Sequence, residues 1–396
     1  MKFLHTSDWQ LGRPFSRVDD TDKRHALRQV RLDAVDRIAA AARDNGCSFV
    51  VVAGDLFDST TPDDTTVRDA CVRIGRAGLD VYAIPGNHDH AGPDGVWERD
   101  FLRNAVRLNA PNFHVLTARE PVVRDDAVIL PFPLFRRQDA GDVLGWVRAP
   151  GALDGLPQDR PWIVLAHGSV QDFGEGAALD EDDDSSQPNL LDLDALRAAV
   201  RPDYIALGDW HGCKRVAADA WYSGTPEPDR FPKGGDYRAG VALVVDVPAR
   251  GAPPSVAPVE TGAVRWIEPA PVAFAGEESL AAFETLLDGL LRGRTGQDSL
   301  KLSLSGFLGF EERRRLDELL RAAKAATLRF KAEDRVVPKP SDAELAALRD
   351  RAADPLIARV AARLDERSRD PALAEADRRV ALDALRELYL TANADD

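Results

Sequence analysis

Five short polar clusters in this 396-residue chain could do chemistry together. They are Asp8 and Gln10, Gly54-Asp55-Leu56-Phe57-Asp58, Gly86-Asn87-His88-Asp89-His90, Ala166-His167-Gly168, and Gly208-Asp209-Trp210-His211-Gly212. Carboxylate, amide and imidazole donors without a thiolate cluster suit Mn, Fe, Co or Zn in a reactive centre, not a structural tetrahedral zinc. One carboxylate able to bridge two cations, with three further ligands for each, makes a two-cation site. Such pairs lie ~3.5–4 Å apart, clamp the attacking and leaving oxygens of an in-line phosphoryl displacement, and lower the pKa of water. A lone Asp-x-Gln or Gly-Asp carries little weight. Gly-Asn-His-Asp behind a strand carries much, and the five clusters in order carry most.

These clusters need elements that deliver them. Each follows a short apolar run: Phe3–Thr6, Phe49–Ala53, Val81–Ile84, Trp162–Leu165 and Tyr204–Leu207. Such runs alternating with helical patterns (22–45, 63–77) predict an α/β domain, with further strands at 127–130 and 241–245. Ligands in open α/β sheets bind outside the carboxyl ends of strands, so the five ends are expected to bring their polar residues to one sheet edge. A Pro/Gly/Ala-rich stretch (248–263) reads as a linker. Residues 264–338 read as a small α+β unit with helices at 278–291 and 311–325 and strands at 300–304 and 327–330. Val337-Pro338-Lys339-Pro340 breaks the chain, and Ser341-x-x-Glu344 is a capping box opening a helical tail to about Ala392. The predicted domains are therefore 1–250, 264–338 and 341–396. The acidic run Asp180–Ser186 reads as a solvated insertion.

In its motifs the chain resembles the calcineurin-like metallophosphoesterases, and within them the nuclease subunit of the bacterial SbcC–SbcD type. The residues carrying this are His5-Thr6-Ser7-Asp8-Trp9-Gln10-Leu11-Gly12, Ala53–Asp58, Pro85–Asp89, Tyr204–His211 and Tyr222-Ser223-Gly224-Thr225-Pro226-Glu227. The motif likeness spans residues 1–247; beyond that only the order of elements agrees. The resemblance implies a four-layer sandwich of two mixed β-sheets flanked by helices, with a small capping domain and a helical tail. It implies that Asp8 and His211 hold one metal, Asp55 bridges, and Asn87 and His167 hold the other. His88 would be the general acid toward a leaving 3′-oxygen, supported by Asp58 or Asp89. The activities implied are a 3′→5′ exonuclease on duplex DNA and an endonuclease on single strands or hairpins, in repair and recombination. The partners implied are DNA, an SbcC-like coiled-coil ABC ATPase and a second copy of the chain.

Two positions depart from the pattern. Asp8-Trp9-Gln10 stands where Asp-x-His is usual, and Gly208-Asp209-Trp210-His211 where Gly-His-x-His is usual. Gln10 and Asp209 can still offer oxygens, which makes a harder site suited to two Mn²⁺ (or Mg²⁺) ions; a weakly metallated site is the other reading. Arg13, His90, Trp9 and Trp210 flank the ligands, where they could meet a nucleic-acid end or simply pack. His5 reads as a core histidine, His25 and His114 as structural or solvated, and Cys213 as inert. Arg313-Arg314-Arg315 with Arg321, Lys324, Arg329 and Lys331 is either a DNA-facing cluster or a salt-bridged face. The apolar positions of 355–390 would bind a partner or fold back on the chain.

Composition bounds these readings. Fifty-one Lys+Arg against 66 Asp+Glu give a net charge of −15, which excludes a bulk-cationic nucleic-acid binder. Three separated cysteines argue against a disulfide framework and for a reducing cytoplasm. No apolar run approaches a membrane span, and the first residues lack a signal-peptide layout. A phosphoesterase for small substrates and a non-catalytic scaffold remain the alternatives to a DNA phosphodiesterase.

Overall fold

The computed structural model describes residues 1–139, 141–170, 189–232, 234, 237–339, 341–349, 351 and 354–392. The acidic run at 180–186 lies outside the described residues. The chain divides into two compact units, Met1–Arg265 and Trp266–Asp396.

The first unit begins with β1 (Lys2–Thr6), α1 (Thr21–Asp44), β2 (Phe49–Val52), α2 (Asp64–Arg76), β3 (Asp80–Ala83), α3 (Asp100–Asn109) and β4 (Phe113–Val115). It continues with β5 (Val122–Val123), β6 (Val128–Phe132), α4 (Gly145–Arg148), β7 (Trp162–His167), β8 (Ser169–Val170), β9 (Leu190–Leu191), α5 (Leu193–Val200) and β10 (Tyr204–Gly208). Then come β11 (Lys214–Arg215), β12 (Ala220–Tyr222), β13 (Val241–Asp246) and β14 (Ser255–Glu260). Two six-stranded mixed sheets result, in the orders β14-β13-β1-β2-β3-β4 and β11-β12-β10-β7-β6-β5.

Four layers follow from where the apolar side chains go. Phe3, Phe49, Val51 and Tyr82 of the first sheet pack against Ile129, Ile163, Leu165 and Tyr204 of the second, forming the central core. The outer face of the first sheet is covered by α1, α2 and α3 through Val35, Ile38, Val67, Ile74 and Leu102. Val147, Leu193 and Leu196 of α4 and α5 cover the second. Strand β2 is covered on both faces, which is why Phe49-Val50-Val51-Val52 is continuously apolar and wholly buried. Helix α1 starts where the Asp20 carboxylate accepts the Asp22 and Lys23 N–H groups, and it ends at Asn45-Gly46.

Three differences from the sequence reading have physical causes. The five strands that precede the polar clusters do not share one edge: β1, β2 and β3 run parallel in one sheet and β7 and β10 in the other. Within the stretch read as a linker, Ser255–Glu260 is an edge strand paired antiparallel with β13. Its residues are mostly exposed, so they carry little apolar signal, and Pro258 is tolerated because an edge strand need not donate on both sides. Thr327 ends a helix, its hydroxyl bonded to the Ala323 carbonyl at 2.9 Å, so the strand expected at 327–330 starts only at Phe330.

The second unit contains β15 (Trp266–Ile267), β16 (Val272–Ala275), α6 (Glu277–Leu291), β17 (Ser299–Leu308), α7 (Phe310–Ala326), β18 (Phe330–Asp334) and β19 (Val337–Pro338). Strand β17 pairs in parallel with the other four, and α6 and α7 cover the sheet through Leu280, Phe283, Leu287 and Leu316. Three helices follow, α8 (Asp342–Arg349), α9 (Pro355–Arg369) and α10 (Glu375–Ala392). The capping box closes both ways: Glu344 accepts the Ser341 N–H at 2.7 Å, and Ser341 accepts the Glu344 N–H at 3.2 Å. Leu345, Leu348, Ala361 and Leu385 of these helices pack with Phe310 of α7. No helix among the described residues is long and apolar enough to cross a membrane.

Candidate metal centre

The loops after β1, β2, β3, β7 and β10 meet where the two sheets face each other. Asp8, Asp55 and His167 each bring a donor atom within 4.8 Å of the others, and all three are buried. The His167 Nε2 lies 3.1 Å from Asn87 Oδ1, 3.5 Å from Asp55 Oδ1 and 3.8 Å from Asp209 Oδ1. Its Nδ1 faces the Ala53 carbonyl at 2.8 Å, which turns Nε2 toward the carboxylates. His211 Nε2 stands 4.0 Å from Asp8 Oδ1.

The backbone is bent to achieve this. Asp8, Gln10, Asp55 and Asp209 have φ of +53°, +41°, +55° and +106°, a region costing a non-glycine residue of order 1–3 kcal/mol. Asp8 is held by its main-chain carbonyl, which accepts from Arg31 Nη2 (3.2 Å) and the Thr225 hydroxyl (2.9 Å). Two glycines are sterically required. A Cβ at Gly54, where φ is +90°, would lie 2.3 Å from the His167 ring, and one at Gly86 would lie 2.1 Å from Asp55 Oδ1.

Charge is concentrated here. Burial alone would lower the His167 pKa, yet the Asp55, Asp8 and Asp209 carboxylates lift it to about 9. Burial alone would raise Asp55, but His167, His88 and the His88 N–H (2.9 Å) hold it below its ordinary value. Burial raises Asp209 and Asp58 beyond what His167 or Arg13 can offset. A pocket that must bury several carboxylates with an imidazole is chemistry that a divalent cation relieves, so the donor set fits metal.

The other flagged residues take distinct places. His88 faces Asp55 Oδ2 across 4.0 Å, and its Nδ1 is 3.1 Å from the main-chain carbonyl of Asp58. The Asp58 carboxylate stands 3.6 Å from Arg13. Asp89 clamps two loops, accepting the Phe57 N–H (3.0 Å) and the Gly86 N–H (2.7 Å), and burial with Asp55 nearby raises its pKa to about 7. Arg13 is buried, bonded to the Gln10 carboxamide oxygen and 3.4 Å from Asp229. Among the described residues, the buried His90 Nδ1 has no hydrogen-bond partner. Trp210 meets Tyr237 edge-on, whereas Trp9 is a core residue donating to Thr6. His114 pairs with Asp80 and stacks on Tyr82. Cys213 carries a free thiol whose pKa burial raises.

Two site residues escape the sequence reading. Asp229 is buried against His211 Nδ1 (3.1 Å), and despite that burial Arg230, His211 and Arg13 hold it well below the carboxylate range. Nothing periodic marks it. Arg31 is fully buried on α1 and bonds Glu227, Asp8 and Thr225; its charge in the apolar series Leu27-Arg31-Val35 is a readable signal. In the second unit three members of the basic cluster are paired with carboxylates. Arg313 bonds Asp334 and Asp317, Arg314 bonds Glu311 and Glu318, and Arg315 bonds Glu277 and Glu284.

Known proteins resemble this chain in sequence. The SbcD subunit of the nuclease SbcCD of Escherichia coli K12 is 26% identical over 269 residues, covering 59% of this chain and 62% of that protein. The "DNA double-strand break repair protein Mre11" of Archaeoglobus fulgidus is 32% identical over 102 residues, 24% of this chain and 20% of that one. An "Uncharacterized metallophosphoesterase YhaO" of Bacillus subtilis is 28% identical over 102 residues, 24% of each chain. The chain thus spans less than two thirds of the length of these relatives. The profile of the calcineurin-like phosphoesterase family matches residues 1–213, which hold Asp8, Asp55, Asn87, His167, Asp209 and His211. With its paired mixed sheets and buried divalent-metal donor set, the chain belongs to the calcineurin-like phosphoesterases.

Proposed function

We propose that this phosphoesterase is a two-cation DNA phosphodiesterase, the nuclease subunit of a cytoplasmic repair complex with an SbcC-like ATPase, and that it works as a homodimer. One observation carries the reading: Asp8, Asp55, Asn87, His167 and His211 converge from five strand ends with His88 beside the bridging carboxylate. Two relatives, one named a nuclease subunit and one a DNA double-strand break repair protein, support DNA as the substrate class. Asp55 would be shared, with Asn87, His167 and Asp209 on one side and Asp8 and His211 on the other. Mn²⁺ or Mg²⁺ ions held there would polarise the phosphate and lower the pKa of an attacking water.

The chain's own groups do the rest. With its Nδ1–H donated to the Asp58 carbonyl, the His88 ring is fixed and directs Nε2 into the site, where an imidazolium proton could pass to the departing 3′-oxygen. Its side chain retains 18% exposure, so substrate can reach it. Asp89 keeps the Phe57 and Gly86 loops in register, which sets the distance between Asp55 and His88.

The test is Mn²⁺-dependent cleavage of a labelled duplex by wild type and His88→Ala, with bound metal counted in both. Loss of cleavage in the variant with metal retained is the expected result. Hydrolysis of bis-p-nitrophenyl phosphate without any DNA cleavage by wild type would replace this reading with that of a small-substrate phosphoesterase.

A further inference from the structure

The two halves of the centre are not equivalent. Around His167 the oxygen donors already converge. The Nδ1 position is taken by the Ala53 carbonyl, Ser169 holds Asp209 Oδ2 at 2.9 Å, and the oxygens of Asn87, Asp55 and Asp209 stand 3.1–3.8 Å from Nε2. Neighbouring ligands of an octahedral cation with ~2.1 Å bonds lie about 3 Å apart, so this set needs little movement.

Around His211 the donors are committed elsewhere. The Gln10 carboxamide oxygen accepts from Arg13, and its NH₂ group stands 3.3 Å from His211 Nε2. The opposite amide orientation would set NH₂ against the guanidinium, donor against donor. His211 Nδ1 is 3.1 Å from Asp229 Oδ2 and 2.8 Å from Arg230 Nη2. If Nδ1 carries the proton for Asp229, the Nε2 lone pair takes the Gln10 NH₂. If Nδ1 accepts from Arg230, then Nε2 carries the proton. The second sets that N–H against the Gln10 NH₂, donor against donor; the first leaves the Nε2 lone pair accepting from that NH₂. Arg13, with Asp58 and Asp229 at 3.6 and 3.4 Å, adds a fixed positive charge beside the same position.

We infer that the centre loads unequally: the Asp55–Asn87–His167–Asp209 position takes its cation tightly, and the Asp8–Asp55–His211 position takes a second one only weakly, because Arg13 holds the Gln10 oxygen away from it. This inference rests on the two-cation reading above. Arg13 acts as a positioning residue; it turns the Gln10 amide and offsets carboxylate charge that a second cation would otherwise neutralise.

The experiment is a titration of the metal-free full chain with Mn²⁺, reading free ion by electron paramagnetic resonance, with folding followed by circular dichroism. Wild type is expected to bind one Mn²⁺ per chain first, with the second needing a concentration roughly 10- to 100-fold higher. Gln10→His should close that gap; Arg13→Gln, which frees the amide oxygen and removes the charge, should narrow it and serves if the first variant fails to fold. Two Mn²⁺ of equal affinity in wild type, with an exchange-coupled spectrum at two equivalents, would overturn the inference, as would a gap unchanged in both variants. Cleavage of duplex DNA at saturating Mn²⁺ is scored separately. Unequal sites without cleavage sink the nuclease reading alone, and equal sites with cleavage sink this one alone.

Discussion

His5 offers a stability measurement with a defined sign. It lies within β1 with no exposed surface, its Nδ1 2.9 Å from the Tyr204 hydroxyl and its Nε2 3.2 Å from the Leu207 carbonyl. Burial drives its pKa from 6.5 down to about 3, against a smaller opposing effect of the Leu207 hydrogen bond. Between those values the unfolded chain binds a proton that the folded chain refuses. The stability contributed by the neutral ring is therefore complete above pH 6.5 and is lost as the pH falls below it. At ~1.36 kcal/mol per pH unit, the roughly 1.5 units down to pH 5 remove about 2 kcal/mol. Urea unfolding of wild type and His5→Gln at pH 7 and pH 5, without added metal, isolates the effect. Wild type should lose about 2 kcal/mol more than the variant, and nuclear magnetic resonance should show the folded His5 ring neutral at the lower pH. Parallel losses, or a protonated ring in the folded state at pH 5, would refute the argument.

Other perturbations probe the centre and its supports. Gly54→Ala puts a Cβ into the His167 ring at a left-handed position, so it should cost at least about 1 kcal/mol in urea unfolding and weaken Mn²⁺ binding in the same titration. His167→Ala removes the imidazole shared by Asn87, Asp55 and Asp209, and should lower the affinity for the first Mn²⁺ by roughly 100-fold or more. Asp203→Ala strands the Trp162 and Gly251 N–H groups together with Arg250, for an expected loss of about 3 kcal/mol in thermal or urea unfolding. Arg314→Ala should change stability by less than about 1 kcal/mol and leave duplex affinity in a filter-binding assay nearly constant, because its partners Glu311 and Glu318 already neutralise it.

Much of the sandwich is legible before any coordinates. Runs such as Phe49-Val50-Val51-Val52 can only be strands covered on both faces, and polar residues crowding their carboxyl ends mark the site. What stays hidden is long-range. No local pattern tells that β1 to β3 and β7 with β10 belong to different sheets, because the division depends on which apolar faces meet. Ser255–Glu260 is mostly exposed, so it lacks the apolar signal that announces a buried strand. Within the site, ligand types can be read from motif order, whereas the direction of the Gln10 amide cannot. It depends on Arg13 and on the adjacent pair Asp229 and Arg230, which arrive from two separate segments.

The convergence of donors from both sheets has a thermodynamic corollary. A cation held jointly by residues as distant in sequence as Asp55 and Asp209 would be a reversible cross-link across the sandwich, closing a loop of more than half the first unit. Its binding free energy is then added to the resistance of that unit to unfolding, about 2.7 kcal/mol when the free ion stands a hundredfold above its dissociation constant. The mineral supply of the surroundings thereby sets how long the folded unit survives as well as whether its site is armed. Cells starved of the ion would lose the protein itself, through unfolding and proteolysis, alongside its activity.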